Sequence, residues 1–220
     1  MTVTPEQLAK INSFGSAGLP PYEANDLTAI SFIATNNLIG RNQGKWSINT
    51  LKQIANLLPG ISQTCNHDWY EIEDIQGVIF EATVFKSETA PSRLIDIGGN
   101  GAINRQIIDQ EGFAACLYKA ALPSSNMVLS GLRLGSISKV SIGGFCGASY
   151  ICPLCNVAFE DPDCPHYMPW DAQDAADKRY APYFLRDGAW DLGEVSLVLI
   201  PNIPGAGIIT REDADFYNYT

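Results

Sequence analysis

Histidine, basic charge and long apolar runs are all scarce in this chain. Only two histidines, His67 and His166, occur in 220 residues, so any imidazole chemistry falls on them. Lys and Arg number 14 against 24 Asp and Glu, a formal net charge of −10, and no basic run interrupts the excess of acid. A surface of that sign repels nucleic acid and anionic lipid, so neither is expected as a partner, whereas a basic protein segment is compatible. No apolar stretch approaches the roughly 20 residues that a membrane-spanning helix needs. Met1-Thr2-Val3-Thr4-Pro5-Glu6 has neither the basic start nor the apolar stretch of a secretion signal. The expectation is a protein of a reducing cytosol, in which the six cysteines are thiols or metal ligands rather than disulfides. Repeats, low-complexity tracts and linkers are absent too, which predicts one domain over residues 1–220 with an N-terminal extension, 1–26, and an inserted excursion, 146–190.

What is present favours a β-rich fold. The composition is 46% hydrophobic and 17% charged, that of a globular chain, and its 32 Gly and Pro residues imply many turns. Thr4-Pro5-Glu6 reads as a helix start, and Ser47 caps an amphipathic helix that Pro59-Gly60 ends. Strands are predicted at 27–34, 61–66, 75–86, 132–145 and 194–200. In the third of these, Val78, Phe80, Ala82 and Val84 alternate onto one face. Residues 102–122 carry a helical pattern weakened at Gly112, as one helix or two, 87–100 read as a loop, and 161–188 as irregular.

Three side chains are candidates for nucleophilic catalysis. Ser141 lies on an apolar strand before Gly143-Gly144; it is either a core hydroxyl or a nucleophile beside which a substrate backbone can approach. His67 stands at a strand end, as a general base or as a surface histidine. Glu194 opens the most apolar strand, either solvated or set to orient an imidazole. A separate signal is Cys152-x2-Cys155 followed, after eight residues, by Cys164-Pro165-His166. Three thiolates and one imidazole form the ligand set of tetrahedral zinc, and four protein ligands close the site, so a structural zinc is expected rather than a catalytic one. The alternative is a cluster of free thiols, and Cys146 is a nearby substitute ligand. Cys65 and Cys116 read as core residues.

Taken together the motifs resemble the tailed-phage prohead (capsid maturation) serine proteases, relatives of the herpesvirus assemblin fold. Asn66-His67-Asp68 with Ile75-Gln76-Gly77-Val78-Ile79, Val140-Ser141-Ile142-Gly143-Gly144-Phe145, and Glu194 to Pro201 with Gly205-Ala206 carry the resemblance, with the Cys/His insertion between the last two. Gly144, and the Asn202-Ile203-Pro204 that follows Pro201, depart from the family pattern. The resemblance implies a mainly β fold with peripheral helices, a closed or nearly closed barrel with an inserted zinc knuckle. It implies Ser141 as nucleophile, His67 as base and Glu194 as its orienting acid, with oxyanion donors near Gly143-Gly144. The implied activity is cleavage of scaffold and capsid proteins inside assembling phage particles in the host cytoplasm; homo-oligomers are compatible. A protease-fold virion component without activity, and a zinc-stabilised binding module, are the alternatives.

Overall fold

Residues 3–67, 72–143, 149–171, 177, 179–189 and 191–217 are described by a computed structural model of the chain. In order, the elements are α1 (Pro5–Asn12), β1 (Leu27–Asn36), β2 (Gly44–Trp46), α2 (Ile48–Leu57), β3 (Ser62–Cys65), β4 (Gly77–Ser87), α3 (Ser92–Ile95), α4 (Gly101–Glu111), β5 (Phe113–Pro123), α5 (Val128–Leu134), β6 (Lys139–Gly143), β7 (Ser149–Ile151), β8 (Phe184–Asp187), β9 (Glu194–Val198), β10 (Gly207–Ile208) and α6 (Arg211–Ala214). Seven strands pair in the closed order β1-β10-β6-β9-β3-β4-β5, and β5 returns to β1. Every pair in this barrel is antiparallel except β3 with β9. A second sheet of three strands runs in the order β2-β8-β7. Among the described residues no helix is long and apolar enough to cross a membrane.

Local chemistry sets the helix ends. Thr4 and Gln7 form a reciprocal capping box with Pro5 in the first turn, so the first free N–H groups of α1 have partners. The Ser47 hydroxyl accepts from the Thr50 N–H at 3.0 Å and starts α2. After α2, Gly60 takes φ +93°, a conformation that costs glycine little.

The largest core cluster joins one face of the barrel strands, through Phe32, Ile79, Tyr118, Val140 and Val195, to Leu51, Ile54 and Leu58 of α2 and Leu129 and Leu132 of α5. Inside it Tyr118 Oη donates to Gln63 Oε1 at 2.7 Å, and Gln63 Nε2 donates to the Val195 carbonyl at 2.7 Å. Because an unpaired amide would cost about 1–3 kcal/mol in such surroundings, this relay fixes β3 beside β9. Leu117, Phe113 and Tyr217 lead a second cluster, and Phe80 and Ala121 meet Val3 and Ile11 of the N-terminal segment in a third.

Several expectations are corrected. Residues 102–122 are not one helical run: Gly112 turns at φ +75° and ends α4, and the rest is strand β5. Its even positions Ala114, Cys116, Tyr118, Ala120 and Leu122 join the main core, while Phe113, Ala115, Leu117 and Ala121 are buried on the other face. Burial on both sides removes the polar alternation that marks a strand, and alanine mimics a helix. Strand 132–145 begins later, at Lys139, because Leu132 and Leu134 finish α5 and Gly135 (φ +73°) stops it. The one-face reading of Val78, Phe80, Ala82 and Val84 fails at a bulge between Ile79 and Glu81. Val78 and Phe80 pack under α1, and Ala82 and Val84 turn to the main core. The 87–100 loop holds α3, and the 161–188 excursion contributes β8, a strand too short to show in a proline-rich stretch.

Candidate functional site

Strand alternation sends Val140, Ile142, Val195 and Leu197 to the core and leaves Ser141, Gly143, Glu194 and Ser196 on the opposite face. The register then pairs Ser141 with Ser196 and Gly143 with Glu194 on β6 and β9, and Ser196 with Thr64 on the parallel β3. Immediately after β3 the chain turns through two left-handed residues, Asn66 at φ +56° and His67 at φ +58°. Such backbone costs on the order of 1–3 kcal/mol per non-glycine residue and clusters where function over-determines it. Here it hooks His67 back over β9. Its backbone N–H donates to Ser196 Oγ at 2.8 Å, and its Nδ1 lies 2.5 Å from Glu194 Oε1.

Glu194 is 3% exposed and Ser196 is fully buried, whereas 38% of the His67 side chain faces solvent. A buried carboxylate requires compensating donors. Oε1 takes the Nδ1–H of His67, and Oε2 takes the hydroxyls of Thr64 and Ser196, which are themselves 2.6 Å apart. With Nδ1 as donor to the carboxylate, the tautomer of an uncharged ring leaves Nε2 as the acceptor nitrogen. Gly143 has a local reason to lack a side chain: an added Cβ would lie 1.8 Å from Glu194 Oε1 and 2.7 Å from His67 Nδ1. The glycine makes room for the imidazole–carboxylate pair. Ser141, two residues earlier on the same face, is half-buried; among the described residues no hydrogen bond joins it to His67. Gly144, Cys146 and Asp68 lie outside the described residues.

Thr64 and Ser196 belong to this hydrogen-bonded cluster, and sequence reasoning missed them. Ser196 was readable in principle, since it stands two positions from Glu194 on one strand and so shares its face. Thr64 depended on a β3–β9 pairing across some 130 residues that no local pattern announces.

Cys152, Cys155, Cys164 and His166 come together as the spacing implies. Their four ligand atoms all lie within 4.8 Å of one another. Cys152 Sγ is 3.5 Å from His166 Nδ1, and Cys155 Sγ is 3.6 Å from Cys164 Sγ. A tetrahedron with metal–sulfur bonds of about 2.3 Å and a metal–nitrogen bond of about 2.0 Å has edges of about 3.5–3.8 Å. Two of the separations already match such edges, and the rest, all within 4.8 Å, need close by no more than about an ångström for the four side chains to hold one metal ion. The turn is built by backbone: Cys152 N–H donates to Val157 O and Asn156 N–H to Cys152 O, both at 2.8 Å, with Asn156 left-handed at φ +62°. Cys116 is fully buried in the core, and Cys65 packs partly against it.

No protein-family model matches this chain, and no curated protein or solved structure is significantly similar to it.

Proposed function

We propose that the chain is a serine endopeptidase of the prohead-maturation type, acting on scaffold and capsid segments while a phage head assembles. The observation that carries this reading is the solvent-facing imidazole held by a buried, triply donated carboxylate on the face that also bears Ser141. In the proposed reaction Ser141 Oγ attacks the scissile carbonyl carbon as His67 Nε2 takes its proton. The tetrahedral adduct collapses as the imidazolium returns that proton to the departing amine, leaving an ester on Ser141. Water, deprotonated by the same nitrogen, then releases the acyl group and restores the serine. Glu194 holds the tautomer and offsets the transient positive charge. In this reading the barrel is of the herpesvirus/prohead protease type and the Cys/His cluster is a structural zinc site; zinc there would supply folding energy to a loop with little core of its own.

Co-expression with the capsid and scaffold proteins tests it: wild type yields trimmed products, and Ser141→Ala leaves them full length. Identical cleavage with both would end the proposal. A second reading, a silent protease fold kept as a head or neck component, is favoured by the missing Ser141–His67 hydrogen bond. That reading expects no trimming by wild type and the intact chain in purified particles.

A further inference from the structure

Strand β10 is two residues long and meets β6 only at Lys139. Beyond it, Ser141 and Ile142 of β6 are laddered to β9 on one side, and on the other face a cavity of about 30 Å³. That cavity is lined by Thr35, Ser141 and Asn202 and by two residues from outside the barrel, Trp46 and Arg186. Trp46 on β2 and Arg186 on β8 are register partners in the small sheet, and the guanidinium lies 4.9 Å above the indole and 5.3 Å from the Phe184 ring. Nothing is loose in this packing. A Cβ on Gly44 would fall 2.6 Å from Phe184 Cζ and 3.0 Å from Arg186 Nε.

Phe184 is itself gripped from outside. Tyr150 meets it edge-on at 5.0 Å and Trp170 at 4.9 Å. Tyr150 precedes Cys152 by two residues, and Trp170 follows His166 by four. The Cys152–His166 edge of the ligand tetrahedron therefore ties together the two segments that hold Phe184. Three thiolates and an imidazole gather around a cation; with the cation removed, Tyr150 is held by the short β7–β8 ladder, where it is the register partner of Arg186, and by its edge contact with Trp170.

We infer that the metal cluster fixes the placement of Arg186 and Trp46 in the wall beside Ser141, so that metal occupancy sets the shape of the site although the ion takes no part there. Only the activity consequence rests on the protease reading; the mechanical link stands without it. The arrangement makes Arg186 and Trp46 positioning residues, reached from the metal through Tyr150, Trp170 and Phe184.

Hydrogen exchange on the full chain, zinc-loaded against EDTA-stripped, tests the link. Exchange over residues 44–46 and 184–187 should accelerate at least about tenfold on stripping, while β5 at 113–123 stays protected. Unchanged protection at 44–46 and 184–187 overturns the inference, and so does equal loss in β5, which would make the metal a determinant of the whole fold. Phe184→Leu, zinc-loaded, is the second arm: it should accelerate exchange at 44–46 with the metal content still at one ion per chain, and no acceleration there also overturns the link. Hydrolysis of a scaffold-derived peptide separates the two claims. If Ser141→Ala hydrolyses it as wild type does, the protease reading fails while the exchange result decides the inference by itself.

Discussion

Gly143, Glu194 and the two hydroxyls around it make distinct demands on chemistry. Gly143→Ala puts a methyl where Glu194 Oε1 already lies. In the protease reading, displacing the His67–Glu194 pair by about an ångström costs on the order of 10²-fold, so kcat should fall by at least that much, and the buried carboxylate pushed off its donors should lower stability by about 1–3 kcal/mol as well. Glu194→Gln keeps the shape but can turn an N–H toward Nδ1, which selects the wrong tautomer; a loss of up to about 10⁴-fold in kcat is expected, read from the same peptide assay. Ser196→Ala acts differently. It leaves the His67 backbone N–H and one carboxylate oxygen short of a partner. It should therefore lower stability by about 1–3 kcal/mol in denaturant titrations as well as reduce activity.

Among the elements, β5 is the stave to which most of the barrel is fitted, pairing with β1 along one edge and β4 along the other. Its start depends on Gly112, whose φ is +75° and whose added Cβ would stand 2.9 Å from the Ser87 carbonyl oxygen. Gly112→Ala should cost on the order of 1–3 kcal/mol, seen as a lower urea midpoint with unchanged slope. The same element shows where sequence reading stops. The capped helices α1 and α2 were legible because Thr4, Pro5 and Ser47 act on their own neighbours. The Cys/His cluster was legible because ligand spacing is local within each half. β5 was not, since its apolar residues on both faces answer to partners far along the chain. The shift of face at Phe80 was hidden for a related reason: a bulge is set by the partner strand. Of the candidate site, His67, Ser141 and Glu194 could be named, while the hydroxyls that hold the carboxylate required the β3–β9 register.

At the scale of the whole molecule, alkaline pH bears on the second core cluster. Burial pushes the Tyr217 phenol up to about 12 from its ordinary 10.0, against a smaller opposing pull from Arg93. The unfolded chain therefore ionises first as pH rises. The contribution of Tyr217 is whole below pH 10 and is lost between pH 10 and about 12. Burial raises Tyr118 and Cys116 as well, and they act in the same sense. Tyr217 Oη is buried with no hydrogen-bond partner among the described residues. Tyr217→Phe should thus fold at least as stably at neutral pH and lose less stability between pH 9 and 11, as denaturant midpoints at the two values would reveal. The way the hoop is joined has a cost during synthesis. Asn36 at the end of β1 lies opposite Ala115 of β5, so the first stave made has no neighbour until about eighty further residues have been added. At about 5–20 residues per second that is a wait of roughly 4–16 s. Throughout it, a ten-residue strand carrying Leu27, Ile30, Phe32 and Ile33 leaves the ribosome unmatched, and a nascent chain of this kind invites capture by chaperones or by its own copies.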